Sequence, residues 1–268
     1  MSILRGPSLR KGQLKRGLTK LAAFTACNMG FSLALKTGLV VPFMYCHGCP
    51  LASFACPIGA LQHFLSLKRM PFLVLGTLIL AVRVLGRARC GWLCPFGALQ
   101  DLLSQPRRAN RTIRHGLLHY LKYLVILGLV IASLSLSGPS FCWICPVGAL
   151  FAGIPYLIIH PDWKPGPAFY IHMVILGLVL LLALRVPRAW CRYFCPLGAI
   201  SGLFNKVSLL GIEFSPDKCV NCGACVRACL MGLRTLREIG SSPECILCGR
   251  CVEACPTGAL AFSLRAGG

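Results

Sequence analysis

Cysteines are the residues of this chain that could do chemistry: there are 18, and eight lie in one C-terminal pattern. Two consecutive runs have the spacing Cys-x2-Cys-x2-Cys-x3-Cys. This spacing is typical of loops that hold two [4Fe–4S] clusters, in which the fourth cysteine of each run binds the other cluster. It predicts one cluster on Cys219, Cys222, Cys225 and Cys255, and another on Cys245, Cys248, Cys251 and Cys229.

Nine further cysteines follow apolar stretches, and four of them begin the pattern Cys-Pro-x-Gly-Ala. Proline is favoured at the first position of a helix, so the preceding cysteine falls at the N-cap. The helix N-terminus then offers N–H groups and partial positive charge to an anionic cluster. We expect the segments Pro95–Leu103 and Pro196–Phe204 to be half-helices that dip back toward a membrane while packed against protein.

Composition points to a membrane protein, because 56% of the residues are hydrophobic, 13% are charged and the mean hydropathy is +0.71. Soluble domains carry about 25% charged residues. A helix needs about 20 apolar residues to span the hydrocarbon core. Four stretches are predicted to span it: Leu21–Tyr45, Pro71–Leu85, Leu117–Leu136 and Ala168–Leu184.

The 28 Lys and Arg residues against 7 Asp and Glu give a net charge of +21. If the N-terminus is inside, three inner pieces hold 6, 8 and 10 of the basic residues, and four remain elsewhere. This is a positive-inside pattern. It predicts a multi-pass protein of the inner (cytoplasmic) membrane with both termini cytoplasmic, an uncleaved N-terminal anchor and no nucleic-acid partner.

The cysteine motifs repeat, since Cys46 and Cys49 recur as Cys142 and Cys145, and the pair Cys90 and Cys94 recurs as Cys191 and Cys195. Two spans per copy give parallel copies around one axis. An inner-face cluster is therefore predicted on Cys90, Cys94, Cys191 and Cys195. Zinc is the alternative for four thiolates, and a disulfide is disfavoured in a reducing compartment.

On the outer face five thiols compete for four places. The strict repeat selects Cys46, Cys49, Cys142 and Cys145, whereas the Cys-Pro-x-Gly-Ala-Leu pattern favours Cys56 and Cys145. The sequence leaves this choice open. It also leaves Cys27 outside every motif, as an inert buried thiol.

The predicted fold class is an all-α membrane protein. Four transmembrane helices form two tandem two-helix repeats with re-entrant half-helices, and a small C-terminal α+β two-cluster ferredoxin domain follows. The expected domains are a basic cytoplasmic arm (1–20), membrane repeat 1 (21–105), membrane repeat 2 (106–210) and the ferredoxin domain (211–268).

The runs Cys-Gly-Trp-Leu-Cys94-Pro-Phe-Gly-Ala-Leu-Gln and Cys-Arg-Tyr-Phe-Cys195-Pro-Leu-Gly-Ala-Ile, followed by the two-cluster module, resemble NapH-type membrane iron–sulfur proteins. These are four-span quinol-dehydrogenase subunits, related to NosR- and CcoG-type polyferredoxins. The resemblance implies membrane electron transfer with quinol as donor and an iron–sulfur partner protein. It carries over to Cys90, Cys94, Cys191, Cys195 and the eight ferredoxin cysteines, whereas the outer cysteines depart from the pattern.

Haem is not expected, because His115, His119, His160 and His172 form no good pair across helices at one depth. His47 and His63 flank the outer cysteines and are candidates to tune that site. Few residues are candidates for acid–base catalysis, with 7 acidic residues in all.

The leading hypothesis is a non-catalytic electron-transfer subunit of an oxidoreductase complex, with three to four [4Fe–4S] clusters. Its partners would be other subunits of a membrane redox complex, a ferredoxin-like or iron–sulfur protein on the cytoplasmic side, and a quinone or an outer-face redox protein. One alternative is transmembrane thiol–disulfide reduction through Cys46/Cys49 or Cys142/Cys145, since Cys-x-x-Cys thiols exchange readily. Another is a redox sensor or assembly factor for a metalloenzyme.

Overall fold

A computed structural model describes residues 7–30, 36–37, 39–46, 48–104, 117–136 and 138–265, and this part of the chain is mostly helical. The helices in its first half are α1 (Pro7–Cys27), α2 (Pro57–Ser66), α3 (Phe72–Leu85), α4 (Ala88–Trp92), α5 (Pro95–Leu103) and α6 (Leu121–Ser135). The second half contains α7 (Pro146–Gly148), α8 (Ile154–Ile159), α9 (Pro167–Arg185), α10 (Ala189–Tyr193), α11 (Pro196–Leu203), α12 (Ala224–Arg227) and α13 (Arg250–Ala254). A π-helical turn over Ala149–Gly153 joins α7 to α8.

Two helical segments are long and apolar enough to cross a membrane, Leu118–Ser135 and Pro167–Arg185. The apolar helices Phe72–Leu85 and Pro146–Ile159 are shorter. Only 17% of each long segment is buried inside the protein, and large side chains such as Leu124 and Leu178 are each 61% exposed. A contiguous apolar surface of this kind marks contact with lipid or with another protein.

The prediction of a transmembrane helix over Leu21–Tyr45 is wrong. Helix α1 ends at Cys27, and the described residues between 36 and 46 are not helical. Gly30 lies against the backbone of Ala52, where a Cβ would come within 2.6 Å of the carbonyl oxygen. The apolar side chains of Val41, Phe43, Met44 and Tyr45 are buried inside the protein, with Tyr45 1% exposed. High hydropathy here reflects a protein core and not a lipid-facing helix.

Helix α1 also runs across the boundary expected between residues 20 and 21, and the basic side chains of Arg16 and Lys20 in this helix are buried. Arg16 donates to both carboxylate oxygens of Glu253, at 2.7 and 2.9 Å, and to the carbonyl oxygen of Cys248. These contacts join α1 to the C-terminal cysteine module.

This module combines short helices with one antiparallel strand pair, β1 (Leu210–Phe214) and β2 (Leu260–Leu264). Ile212 in β1 and Leu260 in β2 are buried together with Leu247 between the two cysteine runs. The core is small, as expected for a segment too short to fold on apolar burial alone. The predicted α+β character of the module is confirmed.

Candidate metal centres

The two cysteine runs of the C-terminal module cross over, so that each of two cavities is lined by three cysteines of one run and the fourth of the other. Cys219, Cys222, Cys225 and Cys255 line the first cavity. Cys229, Cys245, Cys248 and Cys251 line the second. These are the sets expected from the spacing. We call them module set 1 and module set 2.

Backbone N–H groups already point at some of these sulfurs. Ala259 N–H donates to Cys255 Sγ at 3.3 Å, and Gly240 N–H donates to Cys245 Sγ at 3.4 Å. Such donors favour a thiolate over a thiol. These two N–H groups are therefore placed to stabilise the thiolate forms of Cys255 and Cys245.

The four inner cysteines lie on paired short helices, in a group that we call the inner set. Cys90 and Cys191 lie within α4 and α10, whereas Cys94 and Cys195 are the N-caps of α5 and α11. Proline follows each N-cap, and the N–H groups of Gly97 and Gly198 donate to Cys94 Sγ at 3.4 Å and Cys195 Sγ at 3.3 Å. The expected N-cap geometry is confirmed for both short helices.

Burial, followed by the neighbouring Cys191 and Cys90 thiols, raises the pKa of the Cys94 thiol to about 12. Without metal the Cys94 thiol is thus neutral at physiological pH. Metal binding needs thiolates and releases protons. A site of buried thiolates with bound metal carries negative charge, so positive charge nearby is needed to stabilise it.

That charge comes from three arginines that face the inner set: Arg87, Arg89 and Arg188 are at most 1% exposed. Arg87 donates to the carbonyl oxygen of Cys191 at 3.0 Å, and Arg188 donates to that of Cys90 at 2.8 Å. Arg87 and Arg188 thus each bind the backbone of the cysteine motif in the other half of the chain. From the sequence, the basic residues are interpreted as a signal of membrane topology. Three of them, Arg87, Arg89 and Arg188, are instead buried beside the inner set.

Two carboxylates balance part of this charge. Asp101 accepts two bonds from Arg188 and one from Lys20, all at 2.6 Å. Burial alone would raise the pKa of Asp101, but Arg188 and Lys20 outweigh it and hold this pKa well below its usual range. Glu244 pairs with Arg87 at 3.3 Å and also contacts Lys122, so it joins the module to α6.

The remaining positive charge fits an anionic group among the thiols. Within the described part of the chain, Arg89 has no carboxylate partner and Arg87 Nε has no hydrogen-bond partner. A buried cation without a counter-charge is costly. A cubane carried by four thiolates is an anion, so the residues fit such a group. No three His, Cys, Asp or Glu residues among those described could hold a single metal ion.

The outer cysteines divide into four and one. Cys46, Cys56, Cys142 and Cys145 line one cavity, and we call them the outer set. Cys49 lies apart from it, with its Sγ 3.9 Å from Asn28 Oδ1, an oxygen that also accepts a hydrogen bond from the Tyr45 hydroxyl. The cavity thus groups Cys46 with Cys56 and not with Cys49, the neighbour that the strict repeat selects, because the chain folds back after Tyr45.

Sequence reasoning missed two glutamines that contact these sulfurs. Gln62 in α2 donates to Cys142 Sγ at 3.7 Å, and Gln100 in α5 donates to Cys191 Sγ at 3.4 Å. Both side chains are fully buried. The available signal was their shared position, six residues after Cys56 and Cys94 in matching Cys-Pro-x-Gly-Ala-Leu-Gln motifs.

The module packs directly on the inner set. A Cβ at Gly91, beside Cys90, would lie 2.6 Å from the Ile246 carbonyl oxygen and 3.2 Å from Cys248 Cα. Only glycine allows this approach of the two cysteine loops. Module set 2 is thus next to the inner set, whereas Cys222 of module set 1 is exposed.

A histidine among the described residues contacts the backbone of an outer-set cysteine. His172 Nε2 lies 2.5 Å from the carbonyl oxygen of Cys145. His47 and His115 lie outside the described residues.

Family models match most of these segments. A model described as 4Fe-4S binding domain matches residues 53–70, 68–114, 118–160 and 168–213, and one described as 4Fe-4S dicluster domain matches residues 218–260. The first model alone spans more than half of the chain. A chain with these domains and 18 cysteines binds several [4Fe–4S] clusters.

The curated relatives include the uncharacterized protein MJ0750 of Methanocaldococcus jannaschii, 31% identical over 202 residues that cover 70% of this chain and 79% of the relative. The methylamine utilization ferredoxin-type protein MauN of Methylorubrum extorquens is 29% identical, covering 54% of this chain and 47% of MauN. The ferredoxin-type protein NapH of Haemophilus influenzae is 29% identical, covering 57% of this chain and 50% of NapH. No solved structure matches the chain.

Proposed function

The chain belongs to the 4Fe-4S binding domain family, and from this membership we propose that it relays single electrons through four [4Fe–4S] centres across a membrane. Each of module set 1, module set 2, the inner set and the outer set holds one centre. The protein supplies position and potential, while the clusters supply the one-electron chemistry. The observation that carries the proposal is the grouping of 16 of the 18 cysteines into four sets of four.

Electrons enter or leave at module set 1, where Cys222 is exposed to a soluble iron–sulfur or other redox partner. They pass through module set 2, the inner set and the outer set. The packing of Gly91 against Cys248 supports the central step. A quinone or an outer-face redox protein is the partner at the far end.

The exposed apolar surfaces of α6 and α9 support insertion in the membrane. In this arrangement the charged module and its arginine contacts lie at the cytoplasmic face, in the inner membrane, with both termini on that side. In this proposal the repeated cysteine motifs lie around one axis, with the inner set at one end and the outer set at the other. Helix α3 and the helix over 146–159 complete the membrane body.

A reductant that cannot cross a bilayer tests the relay. It is added to the module side of the oxygen-protected chain in sealed liposomes, and the centres are followed by electron paramagnetic resonance. We expect the outer centre to be reduced together with the module centres. Reduction of the module centres alone would contradict the relay.

Cys56 and Cys49 test the outer set by a matched pair of variants. Cys56→Ala is expected to lose about four iron atoms per chain, the content of one cubane. Cys49→Ala is expected to keep its full iron content, because Cys49 faces Asn28 and not the cavity. Iron loss from Cys49→Ala with none from Cys56→Ala would reverse this assignment.

A further inference from the structure

Gln62 and Gln100 occupy one position in two copies of the same motif, and each reaches across to the opposite repeat. Gln100 Nε2 donates to Cys191 Sγ, and Gln100 Oε1 accepts the Trp190 N–H at 3.1 Å. Gln62 Nε2 donates to Cys142 Sγ, and Gln62 Oε1 accepts the Phe141 N–H at 2.9 Å. Each amide thus spans a cysteine sulfur and the N–H of the preceding aromatic residue.

The second copies of the motif lack this group. The equivalent position is Phe151 after Cys145 and Ser201 after Cys195. Ser201 instead accepts a bond from Arg89 and donates to the Leu197 carbonyl oxygen. The outer set and the inner set therefore each receive one amide. In both sets the amide bonds the first cysteine of the motif that comes later in the chain, Cys142 or Cys191.

The hydrogen bond accepted by Oε1 fixes the orientation of each side-chain amide. An amide can rotate by 180° and exchange its donor and acceptor ends. Here a backbone N–H faces one end, which requires the oxygen there and leaves the NH2 group for the sulfur. Both side chains are 0% exposed, so bulk solvent does not compete for either bond.

We infer that Gln62 and Gln100 are positioning residues that set the reduction potentials of the outer and inner centres by donating hydrogen bonds to a ligand sulfur. This inference rests on the proposed function. Reduction adds negative charge that is shared with the thiolate sulfurs, so a donor stabilises the reduced form more than the oxidised form. Hydrogen bonds to the sulfurs are one of the factors that set cluster potentials.

Methionine at either position tests the inference, because it matches the shape of glutamine but has no donor for the sulfur. Gln100→Met is expected to lower the equilibrium constant for one-electron reduction of the inner centre roughly tenfold. This corresponds to a reduction potential that is lower by about 59 mV. Gln62→Met should shift only the outer centre. Gln13→Met, on the exposed face of α1, is the matched control and should shift neither.

The measurement is a redox titration of each variant followed by electron paramagnetic resonance. A centre that is present in the native chain but keeps its potential in Gln100→Met or Gln62→Met overturns the inference. Absence of the inner or outer centre from the native chain overturns the proposed function instead. The two failures are thus distinguishable.

If a variant loses its cluster, its reduction potential is not measurable, and a second test uses the native chain. Glutamine labelled with ¹⁵N at its side-chain amide is incorporated, and pulsed paramagnetic resonance is recorded on the reduced centres. We expect a hyperfine coupling to ¹⁵N at the inner centre, where Gln100 Nε2 lies 3.4 Å from Cys191 Sγ. No coupling at that centre would overturn the inference.

Discussion

Cys94→Ala is expected to remove about four iron atoms per chain and to interrupt the relay. Cys94 is the N-cap of α5, 5% exposed, and its thiol neighbours Cys90 and Cys191. Without it the inner centre has three thiolates and a cavity beside buried arginines. Iron analysis should show the loss, while the spectra of the two module centres remain.

The electron path distinguishes this loss from a general defect. In Cys94→Ala, a reductant on the module side should reduce the module centres and leave the outer centre oxidised. Cys27→Ala is the control, because Cys27 is equally buried, at 2% exposed, but lies outside the four sets. Full iron content in Cys94→Ala would contradict the inner set as a ligand set.

Glu244→Gln is expected to destabilise the junction between the module and the membrane body by about 3–5 kcal/mol, the usual cost of breaking a buried ion pair. Glu244 contacts both Arg87 and Lys122, and each of these cations is 0% exposed. Their positive charges hold the pKa of Glu244 below its ordinary value despite burial. The variant leaves two buried cations without this partner.

The free energy of unfolding and the rate of proteolysis within the module measure this effect. Glu213→Gln is the matched control, since Glu213 lies exposed on β1. The control should behave as the native chain, whereas Glu244→Gln should unfold and be cleaved more readily. Equal stability of the two variants would contradict a structural role for the Glu244 contacts.

The short-range cysteine patterns were predictable from sequence because their geometry is local. Three cysteines at a spacing of three residues come from one loop, and the crossing of Cys229 and Cys255 follows from the known two-cluster arrangement. The N-cap cysteines were likewise predictable, because Cys-Pro fixes where α5 and α11 begin. Local sequence patterns were therefore sufficient to predict the grouping of the module cysteines and the N-cap positions of the inner cysteines.

The outer set was not predictable, because it depends on how a non-helical segment folds back. Hydropathy predicts one membrane span over Leu21–Tyr45. Lipid-facing and core residues have the same hydropathy, so this measure does not distinguish a span from a buried segment. Only the tertiary arrangement shows Cys49 turned toward Asn28 and Cys56 in the cavity.

The buried charges were missed for a similar reason. Basic residues near apolar runs were read as a topology signal, and sequence alone does not separate a side chain at the lipid headgroups from one in a site. Arg87 and Arg188 lie three residues before Cys90 and Cys191, and this spacing was the available clue. Their carboxylate partners, Glu244 and Asp101, come from distant segments that only the fold brings close.

Iron and acid-labile sulfide per chain, measured on protein purified without oxygen, test the central claim most directly. Four cubanes require about 16 iron and about 16 sulfide per chain. We expect this content, with four distinguishable centres in the paramagnetic resonance spectra of the reduced protein. A content of about eight, with only the two signals of the C-terminal module, would contradict clusters in the membrane body.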